Sequence, residues 1–568
     1  RFVENLMLNG KDFFNGNNKI MLNNLPSYTV SNIKVYERES DMSRYFGANI
    51  DDKSFVMDVN LKKQYSIGWM GNVEAGGGTA ETYLARLFAM RFTPNSRITV
   101  FGNVNNVNDD NQPQQGTDWT PEKMPLGRLT VYKAGLDIRV NDRDGKFNVG
   151  SSTTFDHLRN KETANTWCTN FLTSGDTYDR IMKAVDSKNW NLFTYNSLDL
   201  RPTIAGKKVW LLFRQYFNYK KNDKDARTSA ATSGSSWETF SKEQLDSLYN
   251  PSIISELRKK LINRNLNRSL GRTTYMDGEV SAGFRVGFPH SSDNVNVDAS
   301  LWMQSEDYNQ YARQHIGYNN NGQPTMLFLN DFSNADPTRS YRYNIDFLYN
   351  YFPFRGLELH FSYGYEQNYK TESRNLFHLA GIDGWGSGTE HELGTLPSEE
   401  AYLQTIDRSN SYNSRTLGRV HTPGVHINWW FDVNRKWEFR VNHKMYLPIQ
   451  RLTLKYIGAM ADTTFTRRST QIRVFNSFIS LDTKDYKHSF YLHYGLDPQT
   501  PNLRYMVHAT DDADPLNVTR SGKALRDILY YYTKLTYDYR GSVMVSPSIY
   551  YNRTNNAVSM GYIYDKST

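Results

Sequence analysis

Twelve histidines, one cysteine and a few glycine-rich turns are where this chain of 568 residues could carry chemistry. Their spacing withholds it. His360 and His426 fall at polar positions of alternating segments, and no HExxH or other metal-ligand spacing joins them, so they read as hydrogen-bonded residues of a polar inner face. In Gly384-Trp385-Gly386-Ser387-Gly388 the serine lies one place away from a G-x-S-x-G elbow, and no buried strand leads into it. Asn141-Asp142-Arg143-Asp144-Gly145 has the acidic start of a calcium loop but not its distal glutamate, which makes it a hairpin turn. Cys168 is alone and falls in a predicted loop. These residues point to no enzyme, no resident cofactor and no metal. Binding is a different matter: Trp119, Trp167 and Trp385 lie in three long polar segments, where indole faces can stack on sugars or peptide side chains. They are the candidate ligand-binding residues.

Positioning them falls to strands. Tyr341-Arg342-Tyr343-Asn344-Ile345-Asp346-Phe347, then the turn Pro353-Phe354-Arg355-Gly356, then Leu357-Glu358-Leu359-His360-Phe361-Ser362-Tyr363 alternate with a period of two, and the apolar face is largely aromatic. That is the pattern of a strand whose outer face meets lipid and headgroups. Mean hydropathy is only -0.68, and no apolar run approaches the length of a membrane helix. A barrel accommodates both facts, because only alternate residues over about 9–11 positions per strand face lipid. Aromatic residues make up 14% of the chain, with 39 Tyr and 30 Phe, enough for girdles at both interfaces. The net charge of +8 is small for this length and spread along the chain, which excludes a dedicated nucleic-acid surface.

Connections alternate between short and long. Short turns stand at 93–96, 141–145, 204–207, 289–292, 353–356, 433–436 and 482–485; between them lie long connections near 108–127, 161–188, 223–272, 313–337, 374–417, 450–467 and 497–524. In outer-membrane barrels the short turns are periplasmic and the long loops extracellular, so this rhythm orients every strand. The connection at 223–272 also holds an amphipathic pattern, with Asn250 as cap, Pro251 in the first position and Ile254, Leu257 and Leu261 on one face. The rhythm counts about seventeen strands, from near Gly68–Gly76 to near Val543–Tyr551. An odd number leads us to expect a fragment of a barrel with about twenty-two strands, lacking its last strands and the N-terminal part of what precedes the barrel. The expected fold class is thus an all-β membrane protein, a large antiparallel transmembrane β-barrel (residues 64–568), preceded by a small α/β piece (residues 1–63).

Within that piece, Asn24-Leu25-Pro26, Ile33–Ser40, Tyr45-Phe46-Gly47 and Phe55–Lys63 stand in the order of corresponding elements in the second half of a plug domain. Here the chain resembles TonB-dependent outer-membrane receptors. Gly68-Trp69-Met70-Gly71-Asn72, Gly76-Gly77-Gly78-Thr79, Arg91-Phe92, Asn103–Asn108 and Asp514-Pro515-Leu516-Asn517 are similar to elements of the branch common in Bacteroidota-type bacteria. Phe46-Gly47-Ala48-Asn49-Ile50-Asp51-Asp52-Lys53 departs from the small-residue stretch of many plugs, and so from the classical siderophore receptors. The resemblance implies a Gram-negative outer-membrane location and plug-gated uptake of a nutrient such as a glycan, peptide or metal chelate. It also implies a TonB complex touching a segment N-terminal to residue 1, and outer-membrane lipid around the barrel. The alternative is a barrel used as scaffold or export component, its loops docking a surface lipoprotein or other subunits. A soluble glycan-binding protein or glycosidase is the third reading, and it leaves the turn and loop alternation unexplained.

Overall fold

The computed structural model describes the chain apart from residues 1–2, 4, 11–26, 47–52, 66, 111–126, 143, 174, 237–260, 289–292, 321–322, 390, 460, 515 and 564–568. The N-terminal piece is a three-stranded sheet. Asn5–Leu8 runs parallel to Ser54–Leu61, which pairs antiparallel with Val30–Arg38. A short helix, Asp41–Phe46, joins the last two in sequence.

Among the described residues, the strands from Gly68 to Asn555 form one antiparallel sheet of 22 segments, apart from a separate two-stranded ribbon at 510–520. Thr203–Ile204 and Met544–Val545 are two-residue pieces at turns. Three pairs of segments lie end to end: Gln323–Asn334 with Thr338–Phe354, Trp437–Tyr446 with Ile449–Gly458, and Asp462–Thr470 with Arg473–Thr483. Seventeen full strands remain, as the sequence rhythm counts. The sheet order sets Ser548–Asn555 beside Gly68–Gly77 without a residue register between them.

The two faces of this sheet differ in chemistry. Val280, Met303, Ile345, Phe347, Phe361 and Trp429 point outward and stay exposed, far more bare hydrocarbon than a soluble surface carries. Between them, inward positions form a polar lattice across the strands: Asn218 donates to Asp277 (2.8 Å), Asn350 to Asn294 (2.6 Å) and Ser300 to Asn344 (2.8 Å), and Arg285 pairs with Asp298 (2.7 Å). Apolar outside and polar inside is the arrangement of a membrane barrel. Among the described residues no helix is long and apolar enough to cross a membrane.

Strand length varies around the wall. Tyr83–Phe92 and Ser96–Asn105 have 10 residues each, about one membrane crossing. Phe147–Asn170 and Thr177–Leu200 have 24; Lys207–Ser233, Leu261–Gly287 and Asn294–Asn320 have 27. In four long connections expected from the sequence the described residues are therefore largely strand. The hairpin continues to Asn170 and Thr177 in the first, Ser233 and Leu261 bound the second, and in the other two the ladder runs out to Asn320 with Gln323 and to Ile457 with Asp462. Beyond the membrane both faces of a strand meet water or polar neighbours, so the apolar alternation that marks a strand in sequence disappears while the backbone ladder persists. The amphipathic pattern from Asn250 to Leu257 lies outside the described residues, and Leu261 begins a strand.

Candidate functional site

Two arcs of the inner wall touch the N-terminal piece. On one, Leu6, Leu8, Val59 and Leu61 meet Phe88, Met90, Phe92 and Phe101 in a single buried cluster. On the other, the helix Asp41–Phe46 meets the turn ends of distant strands. The Tyr45 hydroxyl donates to the carbonyl oxygens of Pro202 (3.0 Å) and Val209 (3.2 Å), and Lys208 Nζ donates to the Tyr45 carbonyl (2.6 Å). Tyr45 packs edge-on against Trp210, whose other partner is the Arg201 guanidinium, 4.0 Å from the ring centroid. Arg201 also pairs with Asp41 at 3.4 Å. Phe46 closes against Gly287, where an added Cβ would come 2.7 Å from its ring. One small N-terminal piece reaching both arcs, by its sheet and by its helix, means that the wall curves around it.

Burial pushes the Asp41 carboxyl up, but Arg38, Arg44 and Arg201 outweigh it and hold the group below the usual carboxylate range. Sequence alone expects polar, wet contacts from residues 1–63 to inward positions such as Arg342, Asn344, His360 and His426. Among the described residues of that piece, the contacts run instead to residues 88–101, 201–210 and 287; the first set is hydrocarbon, and the second is polar as expected.

His360 and His426 are lumenal, as their register requires, and they face each other as direct cross-strand partners with ring centroids 4.5 Å apart. His360 Nδ1 meets Asn350 Oδ1, and its Nε2 lies 3.8 Å from Glu358, a carboxylate that accepts from Asn428 at 2.8 Å. With Asp298, Asp346, Ser362 and Lys444 the two rings line a recess of about 360 Å³ on the inner wall. A wall of mixed imidazole, carboxylate, hydroxyl and ammonium offers hydrogen bonds to a passing polar solute. Among the described residues no group of three or more His, Cys, Asp or Glu is arranged to hold a metal ion.

The outer connections fold into a cap. Phe332, Phe377, Leu379 and Trp385 make one buried cluster, and Leu454, Tyr456, Leu503 and Val507 another. The two outer segments that contribute to them interlock: Asn410 donates to Asp512 and accepts from its backbone N–H, Arg374 pairs with Asp511, and Arg504 lies 4.0 Å from the Tyr412 ring centroid. His378 is wedged between Asp331 (2.7 Å) and Asp407 (3.0 Å), both ring nitrogens donating. The Asp331 hydrogen bond above all, with that of Asp407, raises its pKa to about 9 against the cost of burial.

Trp119 lies outside the described residues. Trp167 is on a strand rather than in a loop, exposed, with the Arg180 guanidinium 5.2 Å from its ring centroid. Trp385 is 6% exposed and is part of the cap's own core, so its face is not offered to a ligand. Cys168 is exposed and sits on the same strand as Trp167. At the turn after Asn141, Asp142 Oδ2 accepts from the backbone N–H groups of Asp144 and Lys146, which makes it an ordinary hairpin turn. Sequence reading missed the Asp41 and Tyr45 contacts and the His378 clamp. The Tyr45-Phe46 element was visible, but its partners lie some 160 residues away in the chain, and only topology brings them together.

The fold is that of a large antiparallel membrane β-barrel with a small α/β piece against its inner wall. No protein-family model and no curated protein matches the chain. Among solved structures it is similar to the copper transporter OprC (10% identity over 96% of this chain and 83% of that one, TM-score 0.24). It is also similar to the open form of the ferric-catecholate import receptor Fiu from E. coli K12 (10% identity, 94% and 83% covered, TM-score 0.29). A third is the pyoverdine outer membrane receptor FpvA from Pseudomonas aeruginosa PAO1 (10% identity, 96% and 82% covered, TM-score 0.19). At such scores the fold assignment rests on this chain's own strand registers.

Proposed function

We propose that this chain is the body of a Gram-negative outer-membrane receptor and transporter, with residues 1–63 acting as part of a plug inside the barrel formed by residues 64–568. One observation supports the reading: the N-terminal piece meets two separated arcs of the wall, one through its sheet and the other through the helix Asp41–Phe46. A barrel of this girth needs an obstruction if the membrane is to remain a barrier. Ligand binds at the outer cap, a pull from the TonB complex on the N-terminal side loosens the plug, and the polar inner wall passes the solute. The nutrient is a polar molecule such as a glycan, a peptide or a metal chelate. Resemblance to TonB-dependent receptors, in the motifs quoted above, supports the energy source.

Deleting residues 1–63 tests this. The strand registers from Gly68 onward involve none of those residues, so the barrel should still insert and still migrate differently on a gel when unheated. In a planar bilayer it should pass steady ionic current where the full chain does not. Unchanged conductance would remove the plug reading. A second reading, a scaffold that docks a surface lipoprotein, is favoured by the five neighbouring strands of 24 or 27 residues, which extend well past one membrane crossing. Retention of a lipid-anchored partner without any ligand-dependent uptake would select it.

A further inference from the structure

The outward face of three neighbouring strands, Arg128–Asn141, Phe147–Asn170 and Thr177–Leu200, changes character within two rows of residues. Nearest the short turns it is hydrocarbon, with Leu136, Val149, Phe155 and Leu192 exposed. Tyr132, His157 and Trp190 then stand in register across the strands. Their rings stack, 5.7 Å from Tyr132 to His157 and 3.8 Å from His157 to Trp190. His157 is ten residues from Phe147 at the turn end; at about 3.3 Å per residue and a tilt near 45° that spans roughly 25 Å, the height of an outer-membrane apolar band. The ring row therefore marks the outer interface.

Immediately above it the face becomes cationic. The next row outward pairs Thr130, Arg159 and Lys188, and the row after that pairs Arg128, Lys161 and Asp186. Four cations face one carboxylate, and Arg159 already grips that carboxylate through two hydrogen bonds, 3.1 and 2.6 Å. Arg128, Lys161 and Lys188 are exposed. On the next strand Asp223 stands in register with Lys188 and Asp225 with Asp186, but each is already paired from its other side, Asp223 with Arg272 (2.8 Å) and Asp225 with Arg268 (3.4 Å). Arg128, Lys161 and Lys188 thus stand directly above a ring row and a hydrocarbon face.

We propose that this patch binds the phosphate groups of an anionic lipid of the outer leaflet, with its acyl chains lying on Leu136, Phe155 and Leu192. Lys161, Lys188 and Arg128 meet the phosphates; Arg159 and Asp186 hold the strands' outer edges in place. An ammonium or guanidinium at headgroup height attracts anionic lipid, whereas a soluble anion would gain nothing from the hydrocarbon beneath. The inference rests on the membrane reading and on the long connections facing outward.

The test uses the full chain in phosphatidylcholine nanodiscs containing either bisphosphorylated lipid A or the same lipid stripped of its phosphates, with retained lipid read by native mass spectrometry. Wild-type protein should retain the phosphorylated form at least about tenfold more, since each cation at headgroup height adds to the attraction for an anionic lipid. The triple variant Arg128→Gln, Lys161→Gln, Lys188→Gln should lose that preference, while Lys436→Gln, Lys484→Gln, Lys487→Gln at the opposite end should keep it. Lys188→Gln alone should weaken it severalfold, which covers the case in which the triple variant does not fold. Equal retention by the triple variant, equal retention of the stripped lipid, or full competition by inorganic phosphate would each overturn the proposal. Failure of the wild-type chain to enter nanodiscs and shift on heating would instead overturn the membrane reading.

Discussion

Where Leu6, Leu8, Val59 and Leu61 meet the wall, the partners are Phe88, Met90, Phe92 and Phe101. Where Asp41 and Tyr45 meet it, the partners are a guanidinium, an ammonium and two backbone carbonyls. Both contacts join the same N-terminal piece to the same barrel, one through its sheet and one through its helix, yet they respond differently to water. Separating the first exposes hydrocarbon and is resisted by about 25 cal/mol for every Å² bared. Separating the second exchanges protein hydrogen bonds for water hydrogen bonds at a net cost of about 1 kcal/mol each. On the transport reading, a pull on the N-terminal side opens the polar contact first and leaves the apolar one as the pivot.

The largest effect that could break this contrast comes from the apolar side. Phe88→Ala should destabilise the attachment of the N-terminal sheet by about 3–5 kcal/mol, as expected for truncating a buried phenylalanine. Limited proteolysis within Ser54–Leu61 should accelerate, while the heat-dependent gel shift of the barrel persists. If that segment stays as protected as in the parent, the hydrophobic contact is not the anchor. Tyr45→Phe removes one hydroxyl from the polar side and should cost about 1 kcal/mol. Its signature is different: brief conductance openings become more frequent, with no change in protection of Ser54–Leu61.

Acidity sharpens the comparison further. Because the folded-state pKa of Asp41 lies below its unfolded value, its contribution is present above the ordinary carboxylate range near pH 4 and is lost as pH falls through the depressed value. Openings should therefore increase in that acid window in the parent, and Asp41→Asn should show the higher opening frequency already at neutral pH with no further acid step. An acid response unchanged in Asp41→Asn would assign it to another group. A separate pH response belongs to the cap. With a folded pKa of about 9 against 6.5, His378 stabilises the outer segment 379–411 fully below pH 6.5 and loses that contribution as pH rises through about 9. Hydrogen exchange at Leu379–Gly381 should rise over that interval in the parent and be already raised and flat in His378→Gln, while the plug contacts stay unchanged. A flat profile in the parent would show that the clamp does not hold the loop.

Strand existence and sidedness were legible because lipid on one side and a polar lumen on the other impose a period of two, as Tyr341 to Phe347 display. The same argument explains what was illegible. At Cys168 or Ala231 the strand stands beyond the apolar band, the period has no cause, and a loop is the natural reading of a segment that pairs in register. Trp385 illustrates a second limit. A tryptophan in a polar stretch can stack on a ligand or fill the stretch's own core, and composition does not separate the two; its burial with Phe332 and Phe377 does. Asp41 and Tyr45 were illegible for a third reason, because their partners at Arg201 and Val209 are brought near only when the wall closes around the sheet.

The uneven strand lengths also set the traffic of molecules at the mouth. Five neighbouring strands rise far past the interface, and the 10-residue strands Tyr83–Phe92 and Ser96–Asn105 stop near it. A solute wandering away toward the tall side strikes a wall and is reflected toward the opening, whereas one leaving over the low side escapes into bulk. Each departure is then followed by repeated encounters before true loss, so dwell time near the entrance exceeds what contact strength alone would give, and arrivals come preferentially from one direction.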